Sequence, residues 1–158
     1  MFIDEIISDD MTRYSADIAI LTFGGIVEQV FEFGSIEEQQ IPEFRARSTT
    51  PMAAAVLEAI TLLENRKNAY KSNGVDYFQP WIVLMTDGTP TDELSVINEA
   101  TSKTQELINN KKLTMFTIGI GDDVDMDFSV SPPPPPRRRR HSRPLRQRLI
   151  LAPVQTSE

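Results

Sequence analysis

Two residues, Thr50 and Asp87, stand where side-chain chemistry is conceivable in this 158-residue chain. Thr50 precedes Pro51 at a loop-to-helix junction, and Asp87 follows a buried apolar run and precedes Gly88. A hydroxyl and a carboxylate at the ends of neighbouring elements could hold a hard cation through oxygen. The same residues have a structural alternative, with Thr50 capping a helix and Asp87 opening an Asp-Gly turn. There is no cysteine and a single histidine, His141, so disulfides and thiolate sites are excluded and zinc is disfavoured. A metal would therefore be held by oxygen, which favours magnesium, manganese or calcium.

Other candidate chemistry is thin. Asp122, Asp123, Asp125 and Asp127 have the spacing of a calcium loop but lack the glycine and distal glutamate of an EF-hand; a solvated acidic loop is the alternative. Asp87 after a strand also resembles a phospho-accepting aspartate. The paired D-x-D pattern is missing, because Met85 and Thr89 occupy the flanking positions. No phosphate loop, nucleophile elbow or histidine-based triad is present, so an enzyme is not expected.

The elements that must position Thr50 and Asp87 follow from periodicity. Phe2, Ile3, Ile6, Ile7 and Met11 mark one face of a helix. Residues 17–23 are apolar on both faces and read as a buried strand. Gly24-Gly25 supplies a tight turn, and residues 26–33 read as a half-exposed strand, giving a hairpin at a sheet edge. Residues 34–48 read as a loop. Thr50 then serves as N-cap with Pro51 in the first helical position, and Met52, Val56, Ile60 and Leu63 form a core-facing stripe. A polar connection over 66–80 leads to a second buried strand, 81–86, whose first residue, Trp81, reads as core or rim packing. Leu94, Ile97, Ala100, Thr104, Leu107 and Ile108 mark the next helix, with Lys111 and Lys112 where the helix dipole favours cations. Residues 113–120 make another buried strand. Alternating strands and helices predict an α/β fold with a mostly parallel sheet, and functional residues beyond the carboxyl ends of its strands.

The net charge of −7 conceals two regions. Residues 129–158 hold seven of the sixteen basic residues and one of the 23 acidic ones, leaving nine basic and 22 acidic residues in the first 128. The acidic body is not expected to bind nucleic acid. No apolar run approaches the ~20 residues of a membrane span, and the acidic start MFIDEIISDDM is unlike a secretory signal, so a cytoplasmic location is expected. Residues 129–158, with PPPPP and RRRR, show no core periodicity and are expected to be disordered. That stretch has the composition of a polyproline ligand or a basic patch; a frame accident is the alternative.

The segments DIAILTFGG, STTPMAAAVLEAI, WIVLMTDGTPTD and FTIGIGDDVD, in this order and spacing, resemble the von Willebrand factor A-type (VWA) domain, especially the TerY-like group linked to bacterial tellurite resistance and chemical stress. The resemblance implies a Rossmann-like α/β domain over 1–128 with an antiparallel edge hairpin. It implies a metal-ion-dependent adhesion site in which Thr50 and Asp87 are ligands. A magnesium or manganese ion there would leave one position open to a carboxylate of a partner protein, such as an associated phosphatase or kinase. The family's D-x-S-x-S motif and the first strand that carries it have no counterpart here. Metal affinity is accordingly expected to be weak or absent. Two strand edges, those of residues 17–23 and 81–86, are expected to lack a neighbour. The alternatives to a metal-dependent interaction module are a truncated fragment without independent function and a phosphohydrolase built on Asp87.

Overall fold

The structure, a computed structural model, describes residues 16–35, 49–86, 89–119 and 148–152. β1 (Ile18–Gly24) turns at Gly25, where φ is 77°, into β2 (Ile26–Gly34). That positive φ is open to glycine at little cost. α1 (Met52–Ser72) precedes β3 (Trp81–Thr86), α2 (Leu94–Asn109) and β4 (Thr114–Gly119), and β5 (Arg148–Ala152) comes last. The predicted hairpin is present, with Phe23 opposite Val27 and Gly24 opposite Ile26.

The five strands lie in the order β2-β1-β5-β3-β4. This corrects two expectations. Residues 148–152 fall inside the stretch expected to be disordered, yet they form a strand, and it fills the slot between β1 and β3 that was expected to stay open. The physical reason is backbone pairing. Two adjacent open edges offer unpaired N–H and C=O groups, and any extended segment within reach satisfies them. Because β5 enters antiparallel to both neighbours, the described sheet has one parallel pair, β3–β4, and is not mostly parallel. β1 and β3 still run in the same direction, so their carboxyl ends share one edge of the sheet.

Strand alternation sorts the core into two layers. Ala19, Leu21 and Phe23 of β1, Ile82 and Leu84 of β3, and Met115 of β4 face one side, where α1 and α2 cover them. Ile18 and Ile20 of β1 and Val83 of β3 face the other. α1 lies close to the sheet because Ala53, Ala55 and Ala59 present only methyl groups there and are wholly buried. Met52, Val56, Ile60 and Leu63 fill the space between, each contributing roughly 2 kcal/mol by burial. The helix runs past Asn65 to Ser72, although residues 66–80 read as a polar connection. Lys67 and Tyr70 are buried, so the last turns have a packed face that charge pattern alone concealed.

α2 closes with a Schellman motif. The N–H of Lys112 donates to the Leu107 carbonyl, the N–H of Lys111 donates to the Ile108 carbonyl, and Lys111 takes a left-handed φ of 54°. No helix among the described residues is long and apolar enough to cross a membrane. The expected helix over 2–11, the loop over 36–48, the acidic run over 122–127 and the proline run over 132–136 lie outside the described residues.

Candidate functional site

Thr50 sits at the carboxyl-end edge of the sheet, 9% exposed, one residue before the start of α1 proper at Pro51–Met52. Three segments meet at Thr49 and Thr50. The N–H of Gly25, in the β1–β2 turn, donates to the Thr49 carbonyl at 2.9 Å. The N–H of Thr50 donates to Thr91 Oγ1 at 2.9 Å, and the N–H of Thr91 donates back to the Thr50 carbonyl at 3.0 Å. Thr91 belongs to the loop that leaves β3 for α2. The loop that follows Asp87 is thereby joined to the residue with which Asp87 was paired by sequence. Asp87 itself, next in the chain after Thr86 of β3, lies outside the described residues.

The sequence reading made Thr50 the helix cap. The structure assigns that work elsewhere: the N-cap position is Pro51, and no side chain of the local chain caps it. Asp92 does so from 39 residues away. Its Oδ2 accepts the N–H of Ala53 at 2.9 Å and its Oδ1 accepts the N–H of Ala54 at 3.1 Å. A carboxylate at the positive end of a 21-residue helix is favoured by the dipole as well as by the two bonds. Sequence reasoning missed Thr91 and Asp92. The only local signal was an acidic residue near a helix start, which points to its own helix rather than to another.

A cation at this edge would draw on the Thr50 hydroxyl and the Asp87 carboxylate. Asp92 has both oxygens committed to α1, and among the described residues no group of three or more His, Cys, Asp or Glu side chains comes together to hold a metal. One neutral and one anionic oxygen suit a hard ion that keeps most of its water, which is the habit of magnesium. By resemblance the set would be one hydroxyl and one carboxylate, which is a weak hold on any ion.

A second polar cluster lies at the opposite, amino-end edge. The buried carboxylate of Asp17, just before β1, accepts a hydrogen bond from Arg66 Nε at 2.5 Å and another from the Tyr70 hydroxyl. Arg66 stacks over the Tyr70 ring at 4.9 Å and the Phe33 ring at 5.7 Å. Burial pulls the guanidinium pKa down, but its hydrogen bonds to Asp17 and Tyr70 outweigh that and the net shift is upward. Burial raises the Tyr70 phenol above its ordinary range, and the bond to Asp17 adds to the rise. All three groups satisfy one another, so the cluster reads as an anchor of α1 to β1 and β2.

No curated protein and no solved structure matches the chain at a significant level. A family model does: that of the von Willebrand factor type A domain, over residues 2–130. The match spans the hairpin, both helices, the β3–β4 pair and the Thr50 edge, and the chain belongs to the von Willebrand factor type A domain family.

Proposed function

We propose that this chain is a metal-assisted protein-binding module rather than an enzyme, working at the edge formed by Thr50 and Asp87. Domains of the family commonly mediate protein–protein interactions, and in many of them a divalent ion takes part. The observation that supports the reading here is the clamping of Thr50. Its own backbone is tied to the β3–α2 loop, and that of the preceding residue, Thr49, to the hairpin turn, so its position relative to the end of β3 is set before any ligand arrives. Magnesium or manganese, when bound, would supply an electrophilic position for a carboxylate of the partner. Thr50 and Asp87 would hold the ion, while Thr91 and Asp92 keep Thr50 in place. The finer reading is a cytoplasmic role in a bacterial TerY-like stress-resistance system, with an associated phosphatase or kinase as partner. It rests on the sequence resemblance alone.

Titration with manganese, followed by the electron paramagnetic signal of the free ion, tests the site directly. The parent chain should bind weakly, with Thr50→Ala and Asp87→Ala both losing that binding while melting cooperatively. A glutamate-bearing peptide should be retained by the parent only when the ion is present. Equal manganese binding by the parent and both variants would remove Thr50 and Asp87 from the site.

A further inference from the structure

We propose that Asn73 is a site of spontaneous covalent modification: the Gly74 backbone nitrogen displaces its side-chain amide as ammonia, and the last turn of α1 is loosened by the product. Asn73 is the C-cap of α1, Gly74 follows it, and both are exposed. Of the six asparagines in the chain, only Asn73 precedes a glycine. The chemistry balances without an oxidant or a metal. A base takes the proton from the Gly74 nitrogen, the nitrogen bonds to Cγ of Asn73, and the bond from Cγ to Nδ2 breaks to release ammonia. The five-membered succinimide that results is then opened by one water. Water adding at Cγ leaves an aspartate, and water adding at the main-chain carbonyl leaves an isoaspartate, with the backbone rerouted through the side chain.

The local geometry leaves the nitrogen open to attack and sets the conditions for it. Gly74 has a φ of 67°, and a Cβ built on it would meet nothing within 4 Å, so base and water have room to approach. Three restraints oppose the reaction. The Gly74 N–H donates to the Lys71 carbonyl at 3.2 Å, the long end of the hydrogen-bond range. Asn73 Nδ2 donates to the Ala69 carbonyl at 2.7 Å, and ψ of Asn73, 4°, must turn to bring the nitrogen to Cγ. A helix end frays at little cost, so the fold slows the step without blocking it. The product is the more consequential part. A carboxylate at residue 73 gives up the donor to Ala69 and sets a negative charge against the free carbonyls at the negative end of α1. Lys71 is the basic residue of that turn. Tyr70 lies in the same turn: its carbonyl accepts the N–H groups of Asn73 and Val75, and its hydroxyl bonds Asp17. A change made at the surface thus reaches the anchor of α1 to β1.

Incubation of the full chain at mildly alkaline pH, followed by peptide mass spectrometry and enzymatic methylation of isoaspartate, tests the site. Asn73 should convert ahead of the other five asparagines, and faster as pH rises. The chain unfolded in urea should convert faster still, by about ten-fold or less. Asn73→Gln keeps an amide but needs a larger ring, and should stay unconverted. Asn73→Asp, which carries the product's charge from the start, should melt a few degrees below the parent and show quicker amide exchange at Asn73 and Val75. An Asn73 that stays intact in the folded chain while the unfolded chain converts, or other asparagines that convert as fast, would overturn the site. An Asn73→Asp variant that melts and exchanges like the parent would overturn the loosening. None of these outcomes depends on metal binding at Thr50.

Discussion

Thr50 and Thr91, 41 positions apart, are locked by reciprocal hydrogen bonds: the N–H of Thr50 donates to Thr91 Oγ1 at 2.9 Å, and the N–H of Thr91 donates to the Thr50 carbonyl at 3.0 Å. The hydroxyl of Thr91 is therefore the acceptor that a buried amide depends on. Thr91→Val keeps the shape but leaves the Thr50 N–H unpaired, and should cost about 1–2 kcal/mol. Thr91→Ser should cost much less. Urea unfolding of the two variants checks this; equal midpoints for Val and parent would show that the bond contributes nothing.

Asp92 caps a helix to which it does not belong. Asp92→Ala strips the acceptors from Ala53 and Ala54 and removes a negative charge from the helix N-terminus, for an expected loss of about 2 kcal/mol. Asp92→Asn keeps one oxygen acceptor and should fall between. Amide exchange at Ala53 and Ala54 should quicken in the alanine variant before exchange in the rest of α1 does. Uniform quickening along the whole helix would mean that the cap acts globally and not at the first turn.

The Asp17–Arg66–Tyr70 cluster predicts an alkaline limb in stability. The folded phenol of Tyr70 has its pKa raised, so its contribution is complete below the unfolded value of about 10. That contribution is lost as pH rises from there through the folded pKa. Tyr70→Phe should flatten the limb while lowering stability near neutral pH by about 1 kcal/mol, since the buried Asp17 carboxylate loses a donor. Asp17→Ala should cost more, about 2 kcal/mol, because the half-buried Arg66 loses its ion pair. Thermal melts between neutral and strongly alkaline pH decide it: parallel curves for parent and Tyr70→Phe would exclude Tyr70 as the source.

β5 is expected to be structural and not ornamental. Ile150 is paired with Ile20 on one side and Val83 on the other. Ile150→Pro removes a backbone donor from the middle of the sheet and should abolish cooperative melting or lower the midpoint sharply. Val154→Pro, beyond the strand, should not. If Ile150→Pro melts like the parent, the slot between β1 and β3 is closed by something else.

Much of this was legible in the sequence, and the limits have physical causes. The hairpin was readable because glycine at residues 24–25 and alternating apolar residues leave few other conformations. β3 and β4 were readable as unbroken apolar runs. The Thr50 edge was readable because a threonine before proline and an aspartate after a strand mark element ends. The partners of Thr50 were not, since Thr91 and Asp92 act across about 40 residues and no local pattern encodes that reach. β5 was hidden for a different reason. RLILA is a short apolar run inside a proline- and arginine-rich stretch, and composition averaged over the stretch outweighed it. Only the existence of two unpaired edges elsewhere in the chain gives those five residues a place to go.

The position of β5 also fixes an order of events during biosynthesis. Four strands and both helices are translated before the strand that joins β1 to β3 exists. The intervening residues 120–147 take on the order of one to six seconds to make at ordinary elongation rates. Through that interval the hairpin and the β3–β4 pair are separate half-sheets with unpaired backbone edges, and the nascent chain cannot complete its final sheet. Completion depends on a contact of long sequence separation, which slows folding and prolongs exposure. Until β5 is made, both edges stay open to pairing with other extended segments, which is the hazard of supplying a central strand late.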